Sequence, residues 1–337
     1  MIRDAIAAVV EGSDLSEGDA TACMREIMSG EATPAQFGAF VVALRLKGET
    51  PDEIAGLARG MREKALPVRV PGPLLDTCGT GGDSSGTFNV STAAAFVAAG
   101  AGARVAKHGN RAITSACGSA DVLEALGAKI ELSPEGVAAC IERAGFGFMF
   151  APAFHPAMKF AAGPRREIGV RTVFNVLGPL TNPAGATAQV VGAPSAALAE
   201  KLALVLQRLG ATHALVVHGE DGLDEVSASG PTVVFELKDG RVTESTVRPA
   251  DLGLAEHPPE ALRGGSAAEN AAAMRRVLAG EAGPLRDFTL LNAAAALVAA
   301  DLAPELREGI SLAARAIDSG AAREKLDAFV TVSNEVG

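Results

Sequence analysis

The chain contains no tryptophan and no tyrosine, and its four cysteines are widely separated. Because 48% of the residues are hydrophobic, the chain can still bury a sizeable core, and we expect close helix and sheet packing to dominate it over aromatic clusters. The cysteines form no CxxC pair, which disfavours a zinc site and is typical of reduced thiols in the cytosol. The sequence also shows neither a signal-peptide pattern nor an apolar stretch that could span a bilayer. We therefore expect a soluble, cytoplasmic protein without a membrane segment.

The chain also has fewer basic than acidic residues. The chain has 30 Lys and Arg against 40 Asp and Glu, a net charge of −10. A protein that binds duplex nucleic acid usually presents a basic surface, so we expect no nucleic-acid partner. The acidic balance still leaves room for a local basic pocket that binds a small anion.

The N-terminal part of the chain, residues 1–66, carries only helical patterns. Thr33-Pro34 and Thr50-Pro51 are helix-start signals, in which a capping threonine is followed by a proline in the first turn. Residues 67–73, PVRVPGP, break the helical pattern and predict a hinge strand between two domains.

From residue 74 onward, short β-branched segments alternate with helical patterns. The predicted strands are LLDTC, ARVAKHG, AQVVGAP, HALVVHG and TVVFELK, and the predicted helices span 91–100, 119–126, 134–144, 195–209, 267–279, 286–300 and 304–318. This alternation predicts an α/β fold, a mostly parallel sheet flanked by helices. We predict a helical domain of residues 1–66, joined by helices of about 153–180, and an α/β domain of residues 67–337. Ligands of such sheets bind at the carboxyl ends of the strands.

The clearest chemical pattern is the segment from Asp76 to Thr92, DTCGTGGDSSGTFNVST. A short strand runs into a glycine-rich loop, Gly79 to Asp83, whose N–H groups can converge on an anion. An alanine-rich helix then opens at Asn89, and a helix N-terminus suits a phosphate. No Gly-Lys-Ser/Thr follows, so this is not a Walker A loop. The glycine spacing and Asp83, which would repel a bare diphosphate, also exclude a dinucleotide fingerprint. The alternative is an ordinary tight turn with a helix cap.

A second cluster of polar residues follows the next strand, in VAKHGNR. Lys107 can place a point charge on a pyrophosphate, and Arg111 can bind another oxyanion through two N–H groups. In the following segment Ser119 can donate to a phosphate, and Asp121 can hold the loop. A solvated surface turn is the alternative interpretation.

Two adjacent acids, Asp224 and Glu225, follow the predicted strand HALVVHG. We expect this glycine-flanked loop to be exposed. Adjacent carboxylates of this kind are a natural magnesium site for a diphosphate. Taken alone, the pair would be more typical of a solvated turn, and it gains weight only because a polyphosphate donor is already indicated.

The segment of residues 153–180 predicts two short helices broken at Gly163-Pro164, with no strand before them. We expect at least one of its arginines, which include Arg165, to pair with Glu167 or a neighbouring helix. The run of residues 175–183 predicts a rigid loop that walls a channel.

In this order and spacing, these blocks resemble the anthranilate phosphoribosyltransferase family. The matching blocks are GTGGD, TFNVST, KHGNR, GSADVLEALG, RREIGVRTVFNVLGPLTNPA and GLDE. The resemblance covers roughly residues 5–330 and implies the fold shared with pyrimidine nucleoside phosphorylases, usually as a homodimer. It implies transfer of the phosphoribosyl group from 5-phosphoribosyl 1-pyrophosphate to the amine of anthranilate, in L-tryptophan biosynthesis. It also implies Mg²⁺ as cofactor, with two ions per subunit.

The resemblance further implies the residues of the site. It places the phosphoribosyl donor on Gly79, Gly82, Asp83, Thr87, Asn89, Val90, Ser91, Thr92, Lys107, His108, Gly109, Asn110, Arg111, Ala112, Ile113, Thr114, Ser115 and Ser119. It places magnesium on Ser91, Asp224 and Glu225, and anthranilate on Gly79, His108, Asn110 and Arg165. No covalent nucleophile is implied, and Lys107 would act electrostatically on the leaving pyrophosphate.

Two alternatives stay open at this point. A pyrimidine nucleoside phosphorylase would use inorganic phosphate and a nucleoside, and would lack the pair of acids for magnesium. A non-catalytic relative that binds nucleic acid would carry a basic groove and a degraded donor loop.

Overall fold

The computed structural model describes residues 1–81, 86–112 and 116–337. Within them, a group of N-terminal helices packs beside a seven-stranded sheet that carries helices on its faces. Five residues that the sequence assigned to the donor lie outside this description: Gly82, Asp83, Ile113, Thr114 and Ser115. In the described part of the chain, every helix is too short or too polar to cross a membrane.

The N-terminal helices are α1 (Ile2–Val10), α2 (Glu17–Ser29), α3 (Pro34–Lys47) and α4 (Pro51–Arg62). Thr33 and Thr50 form capping boxes at the starts of α3 and α4, each with proline in the first turn. The two predicted helix starts are therefore confirmed. The apolar faces of these helices share a core with α10, described below, and with the neighbouring face of the sheet.

The strands are β1 (Leu75–Gly79), β2 (Val105–Gly109), β3 (Phe146–Phe150), β4 (Ala188–Gly192), β5 (His213–Gly219), β6 (Thr232–Lys238) and β7 (Arg241–Val247). Their order across the sheet is β3-β2-β1-β4-β5-β6-β7. The first five are parallel, and β6 and β7 are antiparallel, so the prediction of a mostly parallel sheet is confirmed. The chain adds β2 and β3 on one side of β1 and then β4 on the other. This places a topological switch point between β1 and β4, where ligand crevices form in such sheets.

The remaining helices are α5 (Val90–Gly100), α6 (Ser119–Ala125), α7 (Pro134–Ala144), α8 (Ala151–Phe154), α9 (Lys159–Ile168), α10 (Ala196–Arg208), α11 (Ala267–Leu278), α12 (Pro284–Ala299), α13 (Leu306–Asp318) and α14 (Ala321–Val336). Helix α5 is buried between β1, α12 and α14. Its small residues allow close contact, since a Cβ at Gly100 would lie 2.7 Å from the backbone of Ala322. The alanine-rich composition thus serves close packing at the centre of the molecule.

Four of the elements named above were not predicted from the sequence: β3, β7, α8 and α14. Strand β3, with the sequence FGFMF, is buried at every residue and so shows no polar alternation. It precedes the segment of residues 153–180, where no strand was expected. Strand β7, with the sequence RVTESTV, is a polar and largely exposed edge strand, which lacks the apolar run that marks the other strands.

Two predicted breaks also differ from the structure. Residues 67–73 form no strand and bend at Gly72, and the N–H of Val68 bonds to the carbonyl of Pro183. Helix α9 continues through Gly163-Pro164 instead of breaking there. Pro164 is the sixth residue of α9, so its missing N–H removes the helical bond to the carbonyl of Phe160. Arg165 therefore lies in the last turn of one helix, not at the start of a second.

Candidate functional site

A cleft of about 720 Å³ opens at the carboxyl ends of β1, β2 and β3. Its size is typical of pockets for small molecules. The predicted site residues that line it are Gly79, Thr87, Asn89, Ser91, Thr92, Lys107, His108, Gly109, Asn110, Arg111, Ala112, Ser119, Arg165, Asp224 and Glu225. Val90 does not line the cleft, because its side chain belongs to the hydrophobic core.

Asp224 is held against the glycine-rich loop after β1. Its Oδ2 accepts a hydrogen bond from the N–H of Gly81 at 2.9 Å. The strands beneath it end in glycine: a Cβ at Gly79 would lie 2.6 Å from Oδ2, and one at Gly192 would lie 1.5 Å from the Asp224 carbonyl oxygen. Asp224 is consequently only 8% exposed. The expectation of an exposed acidic loop is therefore wrong for this residue, because the loop packs directly on the ends of β1 and β4.

The acids and the start of α5 bring side-chain oxygens to one cleft. Asp224, Glu225 and Ser91 all line the same cleft. Within residues 1–81, 86–112 and 116–337, no three His, Cys, Asp or Glu side chains cluster as a metal site, in this cleft or outside it. Magnesium prefers oxygen ligands, and it commonly binds through one or two carboxylates together with water and substrate phosphates. The residues present therefore fit magnesium that binds along with a diphosphate.

Two opposite charges are buried beneath the cleft. Lys107 is 2% exposed, donates to the Thr77 carbonyl oxygen and lies 3.4 Å from Ser91 Oγ at the start of α5. Asp76, on the neighbouring strand, accepts a hydrogen bond from Asn182 Nδ2 at 2.7 Å. Burial lowers the pKa of Lys107, and the negative charge of Asp76 opposes that change. Burial also raises the pKa of Asp76, and the positive charge of Lys107 opposes that rise, so each charge favours the ionised form of the other.

At the start of α5, the hydroxyl of Thr92 is fully buried and lines the cleft. Among the residues that the structure describes, no group hydrogen-bonds to this Oγ1. A buried hydroxyl without a partner is costly, and it lies where a helix N-terminus favours negative charge. The arrangement is suited to an anion that accepts from Thr92.

The loop after β2 is held by acids of α6. Asp121 accepts from the N–H groups of Ala112 and Gly118 at 2.9 and 2.8 Å, which confirms that it holds this loop. Arg111 pairs with Glu124 and lies 3.4 Å from Asp121. Its guanidinium is therefore already engaged by two carboxylates, and binding an oxyanion would require it to share or exchange these partners.

Arg165 lies on the opposite side, where its guanidinium is 5.4 Å from the ring centre of Phe174. Within the described ranges neither Arg165 nor Arg166 or Arg171 forms an ion pair, so the expected pairing of one of these arginines with Glu167 or a neighbouring helix is absent. Burial lowers its pKa, but the group remains a cation at neutral pH. A lone, half-buried guanidinium beside an aromatic ring can bind the carboxylate of a flat aromatic acid.

Two buried histidines extend this side of the cleft, and their rings lie 5.0 Å apart. His108 was predicted, but His155 was not, because a single histidine between Phe and Pro carries no local signal. Burial lowers the pKa of His108 to about 3 and that of His155 to about 4, so both are neutral at pH 7. His108 Nδ1 lies 3.1 Å from the Gly178 carbonyl oxygen, which can only accept, so Nδ1 carries the proton. Nε2 then presents a lone pair, and it has no partner among the described groups.

The turn of residues 178–180 walls the same side, as expected from the sequence: Gly178 and Pro179 line the cleft. Its three carbonyls contact three different elements. The first contacts His108 of β2, the second accepts from Gln189 of β4 at 2.9 Å, and the third accepts from Arg62 of α4 at 2.6 Å. Burial lowers the pKa of Arg62 to about 10. The wall is thus fixed by side chains from both the helical part and the sheet.

Comparison with known proteins agrees with this geometry. The helical bundle domain of a glycosyl transferase family matches residues 3–65, and the a/b domain of a glycosyl transferase family matches residues 71–323. An anthranilate phosphoribosyltransferase of Chloroflexus aurantiacus is 61% identical over 334 residues, covering 98% of both chains. One of Dehalococcoides mccartyi is 54% identical and covers 100% of this chain and 99% of its own.

Solved structures give the same result. The crystal structure of anthranilate phosphoribosyltransferase from Thermus thermophilus has a TM-score of 0.94 at 50% identity, covering 98% of this chain and 99% of that one. The enzyme from Saccharomyces cerevisiae in complex with PRPP and Mg has a TM-score of 0.91 at 29% identity, covering 99% and 98%. With both domains matched and the chain covered end to end, this protein belongs to the anthranilate phosphoribosyltransferases of the glycosyl transferase family.

Proposed function

We propose that this chain transfers the phosphoribosyl group of 5-phosphoribosyl 1-pyrophosphate to the amine of anthranilate in L-tryptophan biosynthesis. The products are N-(5-phosphoribosyl)anthranilate and pyrophosphate. The observation that carries this proposal is a single cleft that combines an anion-binding side with an aromatic, arginine-bearing side. Relatives at 61% identity that bear the name of this activity support it.

The donor would occupy the side of the cleft formed by the loops after β1 and β2. Support comes from the start of α5 with Thr92, from buried Lys107, and from Ser119 at the start of α6. We propose all the donor residues named in the sequence analysis for this side, with Val90 contributing through its backbone. Asp224, Glu225 and Ser91 would hold magnesium, two ions per subunit, and a yeast relative solved with PRPP and Mg supports the choice of metal.

Anthranilate would lie on the other side, between the loop after β2 and α9. Arg165 would bind its carboxylate through two N–H groups, with Gly79, His108 and Asn110 nearby. The yeast relative has been solved with 4-fluoroanthranilate, which supports a site for the acid in this fold. Orientation by the carboxylate would direct the amine toward ribose C1.

In the reaction, the bond between ribose C1 and the pyrophosphate oxygen breaks, and its electron pair leaves with pyrophosphate. The lone pair of the arylamine nitrogen forms the new C–N bond, and the nitrogen then loses a proton to water. Lys107 and the N–H groups at the start of α5 stabilise the charge on the leaving group. Magnesium, when bound, neutralises diphosphate charge. Because an arylamine is unprotonated at pH 7, no strong base is required. Holding the amine in line with ribose C1 lowers the activation barrier by on the order of 7 kcal/mol at best.

The organisation of the whole molecule follows the same proposal. Residues 1–66 with about 153–180 would form a helical domain, supported by the packing of α9 on α2 and α3, and residues 67–337 would form the α/β domain. Residues 67–73 would act as a hinge, and closure would exclude water from the donor. We propose a homodimer, supported by exposed apolar residues on the helical part, such as Val10, Leu46 and Val170. The four free cysteines and the biosynthetic role support a cytoplasmic location.

One assay tests the proposed function. The protein is incubated with 5-phosphoribosyl 1-pyrophosphate, magnesium and anthranilate, and the loss of anthranilate fluorescence is followed. We expect turnover that needs all three components and stops with EDTA. Turnover that survives EDTA, or that runs with inorganic phosphate and a pyrimidine nucleoside, would instead identify a nucleoside phosphorylase.

A further inference from the structure

A buried asparagine on α11 contacts the donor side of the cleft across 181 residues of sequence. Asn270 is 3% exposed, and its Oδ1 accepts from the N–H of Gly265 at 2.7 Å. Its Nδ2 donates to Asn89 Oδ1 at 2.8 Å. Asn89 Nδ2 in turn donates to the Cys117 carbonyl oxygen at 3.0 Å. Two amide side chains thus form a continuous chain of hydrogen bonds between two backbone groups.

The direction of this chain is fixed at both ends. A backbone N–H can only donate, so Gly265 requires the oxygen of Asn270, and the nitrogen of Asn270 must face Asn89. A backbone carbonyl can only accept, so Cys117 requires the nitrogen of Asn89, and the oxygen of Asn89 must face Asn270. The contact between the two side chains satisfies both demands. Neither amide can rotate by 180° without opposing two donors or two acceptors.

The chain joins three segments of the site. Residues 262–265 lie along residues 86–88, with hydrogen bonds from Phe88 N to Leu262 O at 3.0 Å and from Gly264 N to Gly86 O at 2.9 Å. Asn89 is the residue at which α5 begins, and Cys117 lies two residues before Ser119 at the start of α6. The helix starts on the two loops of the proposed donor site are therefore joined by Asn89, and Asn270 orients the amide that joins them.

We propose that Asn270 is a positioning residue for the phosphoribosyl donor, which it serves by fixing the orientation of the Asn89 amide and the spacing between the starts of α5 and α6. This role rests on the proposed function. Asn270 does not line the cleft, so it acts through Asn89 and not on the donor itself.

The sharpest test is Asn270→Asp, which keeps the shape of the side chain. The carboxylate can still accept from Gly265, but it turns an oxygen toward the oxygen of Asn89. Because it is costly to leave a buried polar group unpaired or facing a like group, we expect donor affinity to fall by about tenfold, measured by calorimetry with magnesium. The KM for anthranilate at saturating donor should stay within about twofold. Met274→Ala, one turn further along α11 and also buried but outside the cleft, is the matched control. It should lower stability and leave donor affinity unchanged.

A double-mutant cycle tests the route of the effect. If Asn270 acts through Asn89, then Asn270→Asp should cost no further donor affinity in an Asn89→Ala background. Wild-type donor affinity in Asn270→Asp would overturn the role, and so would an equal loss in both backgrounds, or a loss that Met274→Ala reproduces. A wild-type protein that fails to bind the donor would overturn the proposed function, and this role with it.

Discussion

Asp224→Ala is expected to destabilise the fold as well as to impair catalysis. An acid in an exposed loop could be removed without cost to stability, but Asp224 is buried and accepts from the N–H of Gly81. A hydrogen bond to a charged group contributes about 1.5–3 kcal/mol, and the N–H of Gly81 would lose this partner. We therefore expect the free energy of unfolding to fall by about that amount. Asp224→Asn keeps an acceptor of the same shape and should cost roughly half as much.

Glu225→Ala is the matched comparison, since it removes the adjacent carboxylate from a partly exposed position. It should lower the free energy of unfolding by less than about 1 kcal/mol. Urea denaturation without donor or magnesium measures these differences, and an unchanged m-value shows that midpoints can be compared. Turnover is then titrated with magnesium for each variant, and both alanine variants should require more metal. An Asp224→Ala protein as stable as wild type would refute the packing argument, and one with unaltered magnesium dependence would remove Asp224 from the metal site.

Three further substitutions have defined outcomes. Arg165→Ala should lower kcat/KM for anthranilate by about tenfold or more with little change in the KM for donor; paired titrations measure both, and a collapse of donor affinity instead would place Arg165 at the phosphates. Gly192→Ala should abolish magnesium-dependent turnover, because its Cβ would lie 1.5 Å from the Asp224 carbonyl oxygen, whereas Gly230→Ala, with no atom within 4 Å of the new Cβ, should stay active in the same assay. For His155, burial lowers the pKa to about 4 in the folded state, against about 6.5 in the unfolded chain. Between these two pKa values the unfolded state binds more protons than the folded state, so the free energy of unfolding is highest above pH 6.5 and falls by up to about 3 kcal/mol as the pH drops to about 4. In urea melts at pH 7 and 4, His155→Gln should remove this part of the fall, and an equal fall in wild type and variant would contradict it.

Features set by neighbouring residues could be predicted from the sequence. The capping boxes at Thr33 and Thr50 depend on residues within one helical turn, so their pattern is visible in the chain. The alternation of strands and helices likewise predicted the parallel sheet. Because the carboxyl ends of parallel strands share one edge, the end of β2 with Lys107 and the loop with Asp224 could be expected to meet there.

Features set by tertiary contact could not be predicted in the same way. Strand β3 is buried on both faces and shows no alternation. Asp224 lies in a sequence that resembles a solvated turn, and only the glycine ends of β1 and β4 explain its burial. Asn270 bonds to Asn89 from a distant helix, and nothing in its neighbouring residues indicates that contact. His155 joins the wall of the cleft only because the fold brings it against His108.

The wall turn of residues 178–180 has a consequence for how this cleft can change. One of its carbonyls is held from α4 by Arg62, whereas the other two are held from the sheet. The described donor residues, by contrast, all lie on strand ends, loops and helix starts of the α/β part. A shift in how α4 packs on α10 would therefore reshape the space for the aromatic acid and leave the phosphate side as it is. The two halves of the cleft can thus be altered separately, and substitutions at the seam between α4 and the turn offer a route to other acceptors with the same donor.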